Sequence, residues 1–338
     1  MKNKKIKAPK ADSQNRFILS IVILLGVAGL GGAVFYFSHD NSVVQQPATV
    51  TESSEAFIVP RITEADTVKN VLTIGESKDL KKELNDLVAS KKKDGTLAEA
   101  GIYFRDLNRG PNIAINEDLK FSPASLLKLP LAIWFYYQAS TTPDFLTQEI
   151  EFTGPKGVEK VHYRAPESIE VGKIYTYKEL IRYMLQYSDN DATAILGQIA
   201  GIKNTDTVYT DLGLEPVENY SKYTIDVQSY GGIFRVLYFA AYLNRTSSNA
   251  ILEAMSKSSF TSGLAAGLPE GVVIAHKFGE RPVLEGKTGL VQLHDCGVIY
   301  PSNKQNYMLC VMTQGISYEK EADFIAEVSK KVYAKISE

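Results

Sequence analysis

The chain has 338 residues, a formal net charge of −2 and two cysteines. This length is enough for one large domain with appended segments, and two cysteines are too few for a disulfide framework. The near-neutral charge excludes a broad basic face of the kind that binds nucleic acid, so we expect no nucleic-acid partner.

The N-terminus combines a basic segment with a long uncharged run. Residues 1–16 carry six basic side chains: Lys2, Lys4, Lys5, Lys7, Lys10 and Arg16. Residues 17–37 are uncharged and long enough to cross a hydrocarbon core of about 30 Å as a helix. A basic flank stays in the cytoplasm, and Phe35-Tyr36-Phe37 replaces the small residues of a cleavage site. We therefore predict a single-pass cell-membrane anchor with a cytoplasmic N-terminus and an exported remainder.

A linker is expected between the anchor and a single domain. Residues 38–76 are polar and lack a sustained period, which predicts a flexible linker. The domain is expected at 77–338. It begins with a helix that ends at Asp94-Gly95, followed by a strand at 100–106, a turn and a returning strand at 112–116.

The middle of the domain is predicted to be helical, although residues 140–175 are turn-rich and carry no clear pattern. Thr176-Tyr177-Lys178-Glu179 is a capping box that opens a helix, and further helices are expected at 192–200 and from 227 to about 243. Three strands and a final helix follow, at 272–279, 293–300, 306–313 and 319–336. This order predicts an α/β fold of the α+β type. An antiparallel sheet of about five strands comes from both ends of the domain and is flanked by helices, with an all-helical subdomain.

The stretch from Ser122 to Lys128 combines a helix start with two reactive side chains. Ser122 suits the N-cap and Pro123 the first helical position, so a helix is expected from here to about Tyr137. Ser125 and Lys128 are three residues apart and share one face of that helix. A serine hydroxyl needs a base to become nucleophilic, and a desolvated lysine beside other cations supplies one. The helix N-terminus also presents backbone N–H groups to an oxyanion.

Two further boxes follow this S-x-x-K pattern. Ser188-Asp189-Asn190 ends a predicted helix, and on composition alone it is an ordinary capping turn. A Lys-x-Gly box occurs twice. Lys277-Phe278-Gly279 ends a β-branched strand, whereas Lys287-Thr288-Gly289 follows a turn-like stretch that contains proline and glycine.

The three boxes, in this order, resemble the class A β-lactamase family of penicillin-recognising serine hydrolases over the whole predicted domain. The resemblance implies an acylated nucleophile, a base or proton relay, a proton-passing hydroxyl and a substrate-holding amide, at Ser125, Lys128, Ser188 and Asn190. Asp189 is expected to anchor the turn. We expect no cofactor and no metal, because the four histidines are scattered along the chain.

In that family the Lys-x-Gly box lies on an inner strand beside the nucleophile. This position favours Lys277 over Lys287. Gly279 would then admit substrate close to the strand backbone. The backbone N–H of Glu280 would join that of Ser125 in an oxyanion hole.

The chain departs from the family pattern in two places. Phe278 replaces the hydroxyl residue that binds the substrate carboxylate, and Arg281 or Thr288 is expected to substitute for it. The loop glutamate that activates the hydrolytic water, followed three residues on by an asparagine, has no counterpart. Glu215 and Glu218 are the nearest carboxylates, and both are expected to be solvated loop acids.

Three functions follow from these observations. The first is a β-lactamase that opens the β-lactam ring through an acyl-serine. The second is a D,D-peptidase or penicillin-binding protein that acts on D-alanyl peptides of the cell wall. The third is a catalytically silent domain that binds wall material or a partner. The overall resemblance favours the first, the missing loop glutamate favours the second, and the intact set of boxes argues against the third.

The two cysteines, Cys296 and Cys310, lie in apolar strand-like runs. Packed free thiols are expected, with a strand-to-strand disulfide as the alternative if the domain lies outside the cytoplasm.

Overall fold

The computed structural model describes residues 56–59, 72–108, 110–155, 162–220, 222–283, 289–302 and 305–337. The predicted basic segment at 1–16 and the predicted anchor at 17–37 lie outside these ranges. Within them, no helix combines the length and the apolar character needed to cross a membrane.

The described strands form one large sheet and one small hairpin. They are β1 (Leu97–Asp106), β2 (Asn112–Ile115), β3 (Glu149–Glu151), β4 (Ile174–Thr176), β5 (Val273–Pro282), β6 (Val291–Tyr300) and β7 (Tyr307–Gly315). The large sheet has the order β2-β1-β7-β6-β5 and is antiparallel throughout, while β3 and β4 pair with each other. The predicted antiparallel five-stranded sheet, built from both ends of the domain, is therefore confirmed.

Helices cover both faces of this sheet. They are α1 (Ile74–Lys93), α2 (Lys128–Ala139), α3 (Tyr177–Gln186), α4 (Asn190–Ala200), α5 (Ile202–Asp211), α6 (Val227–Tyr238), α7 (Arg245–Ser256) and α8 (Tyr318–Ser337). Successive strand residues point to opposite faces, so the sheet buries two separate cores. Ile102 and Phe104 of β1 pack with apolar residues of α1 and α8, whereas Tyr103 packs with those of α2 to α7.

Two helices begin at capping boxes. The Thr176 hydroxyl accepts the Glu179 N–H and the Glu179 carboxylate accepts the Thr176 N–H, which confirms the predicted start of α3. Thr73 and Glu76 make the same reciprocal pair at the start of α1. Helix α1 therefore begins ahead of the domain boundary expected at residue 77.

The segment that leads into α2 differs from the predicted continuous helix. A short 3-10 helix at Ala124–Leu127 comes first, and neither it nor α2 has a side-chain N-cap. Ser122 is instead held by the neighbouring strands. Its hydroxyl accepts a hydrogen bond from Arg281 of β5, and its carbonyl is 3.0 Å from His294 Nε2 of β6. These tertiary partners override the local capping preference.

The helix predicted from 227 to about 243 is α6, which ends earlier, at Tyr238, and the next helix, α7, was not predicted. The chain turns between them at Ala240, which has a φ of 49°. Asn244 then caps α7 by accepting the N–H of Ser247 at 2.8 Å. Asparagine favours a cap over a helix interior, and this local preference sets the start of α7.

Four residues of the predicted linker pack on the domain. Ile58 is buried, the Phe57 N–H donates to Asn249 Oδ1 at 2.9 Å, and the Val59 N–H donates to the Tyr238 carbonyl at 2.8 Å. Residues 56–59 are therefore part of the folded domain. The rest of the predicted linker, apart from 72–76, lies outside the described residues.

Cys296 and Cys310 form a disulfide between β6 and β7, with their Cα atoms 3.9 Å apart. The two residues are direct partners in the antiparallel register. The expectation of free thiols is therefore wrong. Strand register, which places the thiols opposite each other, depends on the whole sheet and is not visible in either cysteine's local sequence.

Candidate active site

Ser125 lies on the 3-10 helix and Lys128 is the first residue of α2. The preceding residue, Ala124, has a φ of 49°, a conformation that costs a non-glycine residue about 1–3 kcal/mol and recurs at functional sites. Residues 123–128, called the nucleophile turn because they carry Ser125, are held in place by Tyr230. Its hydroxyl donates a hydrogen bond to the Leu126 carbonyl at 2.9 Å. Ser125 is half-buried and Lys128 is buried.

Residues 188–190 form the turn that leads into α4. Ser188 also has a positive φ, of 55°. The Asp189 carboxylate caps the helix by accepting the Ala192 N–H at 2.7 Å, and it also accepts the Ile169 N–H at 3.0 Å. The predicted anchoring role of Asp189 is confirmed. The turn directs Ser188 and Asn190 toward Lys128.

Two lysine amines meet at the hydroxyl of Ser188. Lys128 Nζ lies 2.9 Å from Ser188 Oγ, 2.6 Å from the Ser188 carbonyl and 2.8 Å from Asn190 Oδ1. Lys277 Nζ lies 3.0 Å from Ser188 Oγ and 2.9 Å from the Phe278 carbonyl. Residues far apart in the sequence therefore share one hydrogen-bonded cluster. Lys287, the alternative strand-box lysine, lies outside the described residues.

Burial makes both amines easier to deprotonate. It lowers the pKa of Lys128 to about 7, and the negative charges of Asp189 and Glu280 only partly oppose this. Burial, followed by the positive charge of Lys128, holds the pKa of Lys277 well below its usual range. The arrangement therefore favours a state in which one of the two amines is neutral near pH 7, and a neutral amine can accept a proton.

Ser125 and Ser188 face a cavity of about 330 Å³, the active-site cavity. Its described lining comes from the nucleophile turn, the 188–190 turn, strand β5 and the segment before β4: Ser125, Tyr163, Arg164, Ala165, Glu167, Ser168, Tyr187, Ser188, Asp189, Asn190, Asp191, Phe278 and Glu280. Lys128 and Lys277 are not part of this lining and lie behind Ser188. The space is large enough for a small acyl donor.

Phe278 belongs to an aromatic cluster beside the cavity. Its ring stacks on Phe260 at a centroid distance of 4.1 Å and meets Tyr163 edge-on at 4.9 Å. It offers no hydroxyl at the position where the family pattern has one. Arg281, which was expected to substitute, donates to Ser122 Oγ, and Thr288 lies outside the described residues.

Gly279 allows β5 to pack against the nucleophile turn. A Cβ at this position would lie 2.7 Å from the Pro123 carbonyl oxygen and 3.1 Å from Leu126 N. The glycine was expected to admit substrate. The structure shows that it admits the backbone that carries Ser125, and its approach to substrate stays a prediction.

Glu280 holds the segment on the far side of the cavity. Its Oε1 accepts the Tyr163 N–H at 2.7 Å, and the Tyr163 hydroxyl donates to Ser259 Oγ at 2.8 Å. The predicted oxyanion role of the Glu280 backbone N–H stays a prediction. Tyr163 and Arg164 lie in the turn-rich stretch at 140–175, where the sequence offered no motif that could have found them.

His294 is another contributor that the sequence did not identify. Its Nε2 is 3.0 Å from the Ser122 carbonyl, and its Nδ1 accepts the Thr313 N–H at 3.2 Å. Burial lowers the pKa of His294 to about 4, so the ring is neutral with its proton on Nε2. It fixes the chain that enters the nucleophile turn.

Glu215 and Glu218 are exposed, as expected, and neither lines the active-site cavity. Within the described ranges, no group of three or more His, Cys, Asp or Glu side chains could hold a metal ion. The groups that meet around Ser188 are amines, a hydroxyl and an amide.

A five-stranded antiparallel sheet flanked by helices, with two serines at one cavity and two lysine amines in contact with the second serine, matches the architecture of the penicillin-recognising serine hydrolases. The sequence model of the β-lactamase enzyme family matches residues 79–336. The chain belongs to this family and is a serine hydrolase of the class A β-lactamase type.

Individual relatives are distant. VEB-1 β-lactamase of Pseudomonas aeruginosa is 23% identical over 259 residues, which cover 71% of this chain and 83% of that protein. The structure of PBP-A is similar at a TM-score of 0.63 and 22% identity, covering 76% of this chain and 95% of PBP-A. A class A β-lactamase from Mycobacterium abscessus is similar at a TM-score of 0.63 and 22% identity, covering 77% of this chain and all (100%) of that one. At these identities, the two structures support the fold alone.

Proposed function

We propose that the protein is a membrane-anchored, extracytoplasmic hydrolase that forms an acyl-enzyme between Ser125 Oγ and β-lactams and opens their ring. The observation that carries this proposal is the cluster at Ser188, where Lys128, Lys277 and Asn190 meet within 3.0 Å contacts beside the nucleophile turn. A variant of PBP-A, whose fold is similar, has been seen as an acyl-enzyme complex with penicillin G.

The acylation step uses both lysines of this cluster. The neutral amine of Lys128 takes the proton of Ser125 Oγ, and the oxygen attacks the lactam carbonyl carbon. When the C–N bond breaks, the nitrogen takes the proton of Ser188 Oγ. Ser188 is reprotonated by the ammonium of Lys128, which returns to its starting state. Lys277 donates to Ser188 Oγ and favours the negative charge that develops there.

A second candidate is a D,D-peptidase that acts on D-alanyl peptides of the cell wall. The specific observation in its favour is the solvent exposure of Glu215 and Glu218, which places both carboxylates outside the lining of the active-site cavity. Without the loop glutamate that activates water in the family pattern, an acyl-enzyme formed with penicillin hydrolyses slowly. A peptidase of this kind would be acylated by penicillin and then stay acylated.

The extracytoplasmic location is supported by two independent features. The uncharged run at 17–37 follows a basic segment, as in a membrane anchor with a cytoplasmic N-terminus. The disulfide between Cys296 and Cys310 is of the kind that persists in oxidising compartments. Fractionation of cells that express the full chain, with protease added to intact spheroplasts, tests this location. Recovery of the domain in the soluble cytoplasmic fraction would contradict it.

Labelling with a fluorescent penicillin tests the reaction. The full chain is expected to form a covalent adduct, and Ser125→Ala is expected to form none. An adduct that turns over within seconds identifies a β-lactamase, whereas one that persists for hours identifies the peptidase. If the wild-type chain is never labelled, both candidates fail and a silent binding domain remains.

A further inference from the structure

The substrates of both candidate functions share a carboxylate next to the bond that reacts. The position in β5 at which the family pattern has a hydroxyl for this group is occupied by Phe278, whose ring is buried against Phe260 and Tyr163. The Arg281 guanidinium donates a hydrogen bond to Ser122 Oγ. Neither side chain provides the hydroxyl of the family pattern, so a donor from another element of the described lining is the alternative.

The described lining of the active-site cavity contains one cationic side chain, Arg164. A second cavity of about 280 Å³ adjoins the first, and the two share three lining residues, Tyr163, Arg164 and Glu280. Arg164 therefore lies at the boundary between the space next to Ser125 and a further space that can receive the distal part of a substrate.

The backbone around Arg164 is held in place from both sides. On one side, the Tyr163 N–H is bound by Glu280 Oε1 at 2.7 Å, and the Tyr163 ring contacts Phe278. On the other side, the Ile169 N–H is bound by Asp189 Oδ2 at 3.0 Å. The two carboxylates that hold this segment are those of Glu280, on strand β5, and Asp189, in the 188–190 turn. The exposed side chain of Arg164 is thus presented from a backbone fixed relative to the reaction centre.

Apart from Tyr163 and Tyr187, the remaining ionisable side chains of the described lining are carboxylic acids. Asp189 and Glu280 accept backbone N–H groups, and Glu167 is hydrogen-bonded to the Tyr187 hydroxyl. Asp191 is the fourth carboxylate of the lining. Without Arg164, these groups would repel an anionic substrate. The guanidinium of Arg164, at the boundary between the two cavities, offsets this negative charge. Its two parallel N–H donors match the two oxygens of a carboxylate.

We propose that Arg164 binds the substrate carboxylate and takes over the role that the strand hydroxyl has in the family pattern. Arg164 is then a specificity-determining residue that selects acyl donors with a carboxylate on the leaving-group side. This inference rests on the proposed function, because it assumes acyl transfer to Ser125.

A matched pair of acyl donors tests the inference. One is the thioester of phenylacetic acid with thioglycolate, whose leaving group carries a carboxylate, and the other is its methyl ester, which is uncharged. The rate of first-turnover thiol release is measured for each thioester. The ratio of the rate with the charged thioester to the rate with the uncharged one is then compared among wild type, Arg164→Ala, Arg164→Lys and Arg235→Ala. Arg235 is an exposed arginine of α6 that lines neither cavity, which makes it the matched control.

The ratio is expected to fall about ten- to hundred-fold in Arg164→Ala, the range of a charge-assisted hydrogen bond to a carboxylate. Arg164→Lys is expected to retain an intermediate ratio, because a lysine keeps the charge but loses the planar pair of donors. Arg235→Ala should leave the ratio unchanged. An unchanged ratio in Arg164→Ala, whether both thioesters react equally more slowly or neither does, would overturn the inference.

Binding without reaction separates this inference from the proposed function. Benzylpenicillin is titrated into Ser125→Ala and into Ser125→Ala combined with Arg164→Ala, with binding followed by calorimetry. The dissociation constant should rise about ten- to hundred-fold in the double variant. A wild-type protein that releases thiol from neither thioester would remove the proposed function, while the calorimetric comparison would still decide the role of Arg164. Equal affinities of the two variants, or binding to neither, would refute it.

Discussion

The nucleophile side of the active-site cavity and the loop at 213–226 are built in opposite ways. Around Ser188, a dense polar cluster is buried, and its two lysine amines have lowered pKa values. In the described part of the loop, the buried side chains are the apolar Leu214, Val217 and Ile225 and the helix-capping Asp226, while both glutamates are exposed. In the family pattern, the groups that form an acyl-serine and the glutamate that activates the hydrolytic water lie on separate elements, so we expect that one can be present without the other.

The loop is held by contacts that do not require a carboxylate. Phe121 and Ile225 form an isolated antiparallel bridge, with their reciprocal N–H···O=C hydrogen bonds at 2.9 and 2.8 Å. The Tyr223 hydroxyl donates to the Glu215 carbonyl at 3.0 Å. Glu215 therefore contributes its backbone to the loop, while its side chain stays in solvent. This architecture leads us to expect fast acylation and slow deacylation.

The largest expected effect comes from removing the amine on the nucleophile side. Lys128→Met keeps the length of the side chain and removes the base, so the rate of Ser125 labelling by a fluorescent penicillin should fall about 10²- to 10⁴-fold. Lys82→Met is the control, since Lys82 is exposed on α1 and pairs with Asp86. Circular dichroism and thermal unfolding verify that the variant folds. A folded Lys128→Met protein that labels at the wild-type rate would contradict the assignment of the base.

The next effect is a pH dependence of the rate at which Ser125 is labelled, which we expect to follow the protonation of Lys128. With a Lys128 pKa of about 7, the labelling rate should rise about tenfold for each pH unit below 7 and level off above it. The measurement is the labelling rate between pH 5 and 9. A flat profile would show that Lys128 is not the titrating base.

The same shift has a consequence for stability, with a defined sign. The folded pKa of Lys128 is below its unfolded value of about 10.4, so the unfolded state binds more protons between these two values. This group therefore makes the free energy of unfolding rise with pH from about 7 to about 10. Denaturant titrations of wild type and Lys128→Met across this range isolate the contribution, which should be absent from the variant.

A smaller effect is expected from crowding the contact between β5 and the nucleophile turn. Gly279→Ala places a Cβ 2.7 Å from the Pro123 carbonyl oxygen, so the free energy of unfolding should fall by about 1–3 kcal/mol and labelling should slow. Gly197→Ala is the matched control, because a Cβ there meets nothing within 4 Å and α4 is helical at that residue. The control should be neutral or stabilise the protein by up to about 1 kcal/mol. Equal effects of the two substitutions on urea unfolding would refute the steric role of Gly279.

The smallest expected effect lies in the loop. Glu215→Gln and Glu218→Gln should each change the lifetime of the penicilloyl adduct less than about twofold, since surface substitutions of this kind have small effects. The lifetime is measured by the decay of the fluorescent adduct after excess unlabelled penicillin is added. A tenfold longer lifetime in either variant would show that the loop supplies the deacylation base after all, and the contrast between the two regions would fail.

Local sequence determined much of the fold. The alternation of apolar residues and the turn residues predicted all five strands of the large sheet, and the capping box at Thr176 predicted the start of α3. Such features are encoded within a few residues of where they act. The short hairpin of β3 and β4 and the docking of residues 56–59 were not predicted, because each depends on contacts with distant parts of the chain. Helix α7 was also not predicted, although its Asn244 cap is local.

For the active site, short motifs predicted which side chains carry the chemistry, since Ser125, Lys128, Ser188 and Asn190 lie in motifs whose residue types have few other uses in combination. Only the tertiary structure decided how those groups meet, which partners hold Ser122, and that Arg164 borders the cavity. It also decided that Cys296 and Cys310 are bonded. The physical reason is that pKa values, strand register and cavity linings arise from groups brought together by folding, and no local pattern of residues specifies which groups those are.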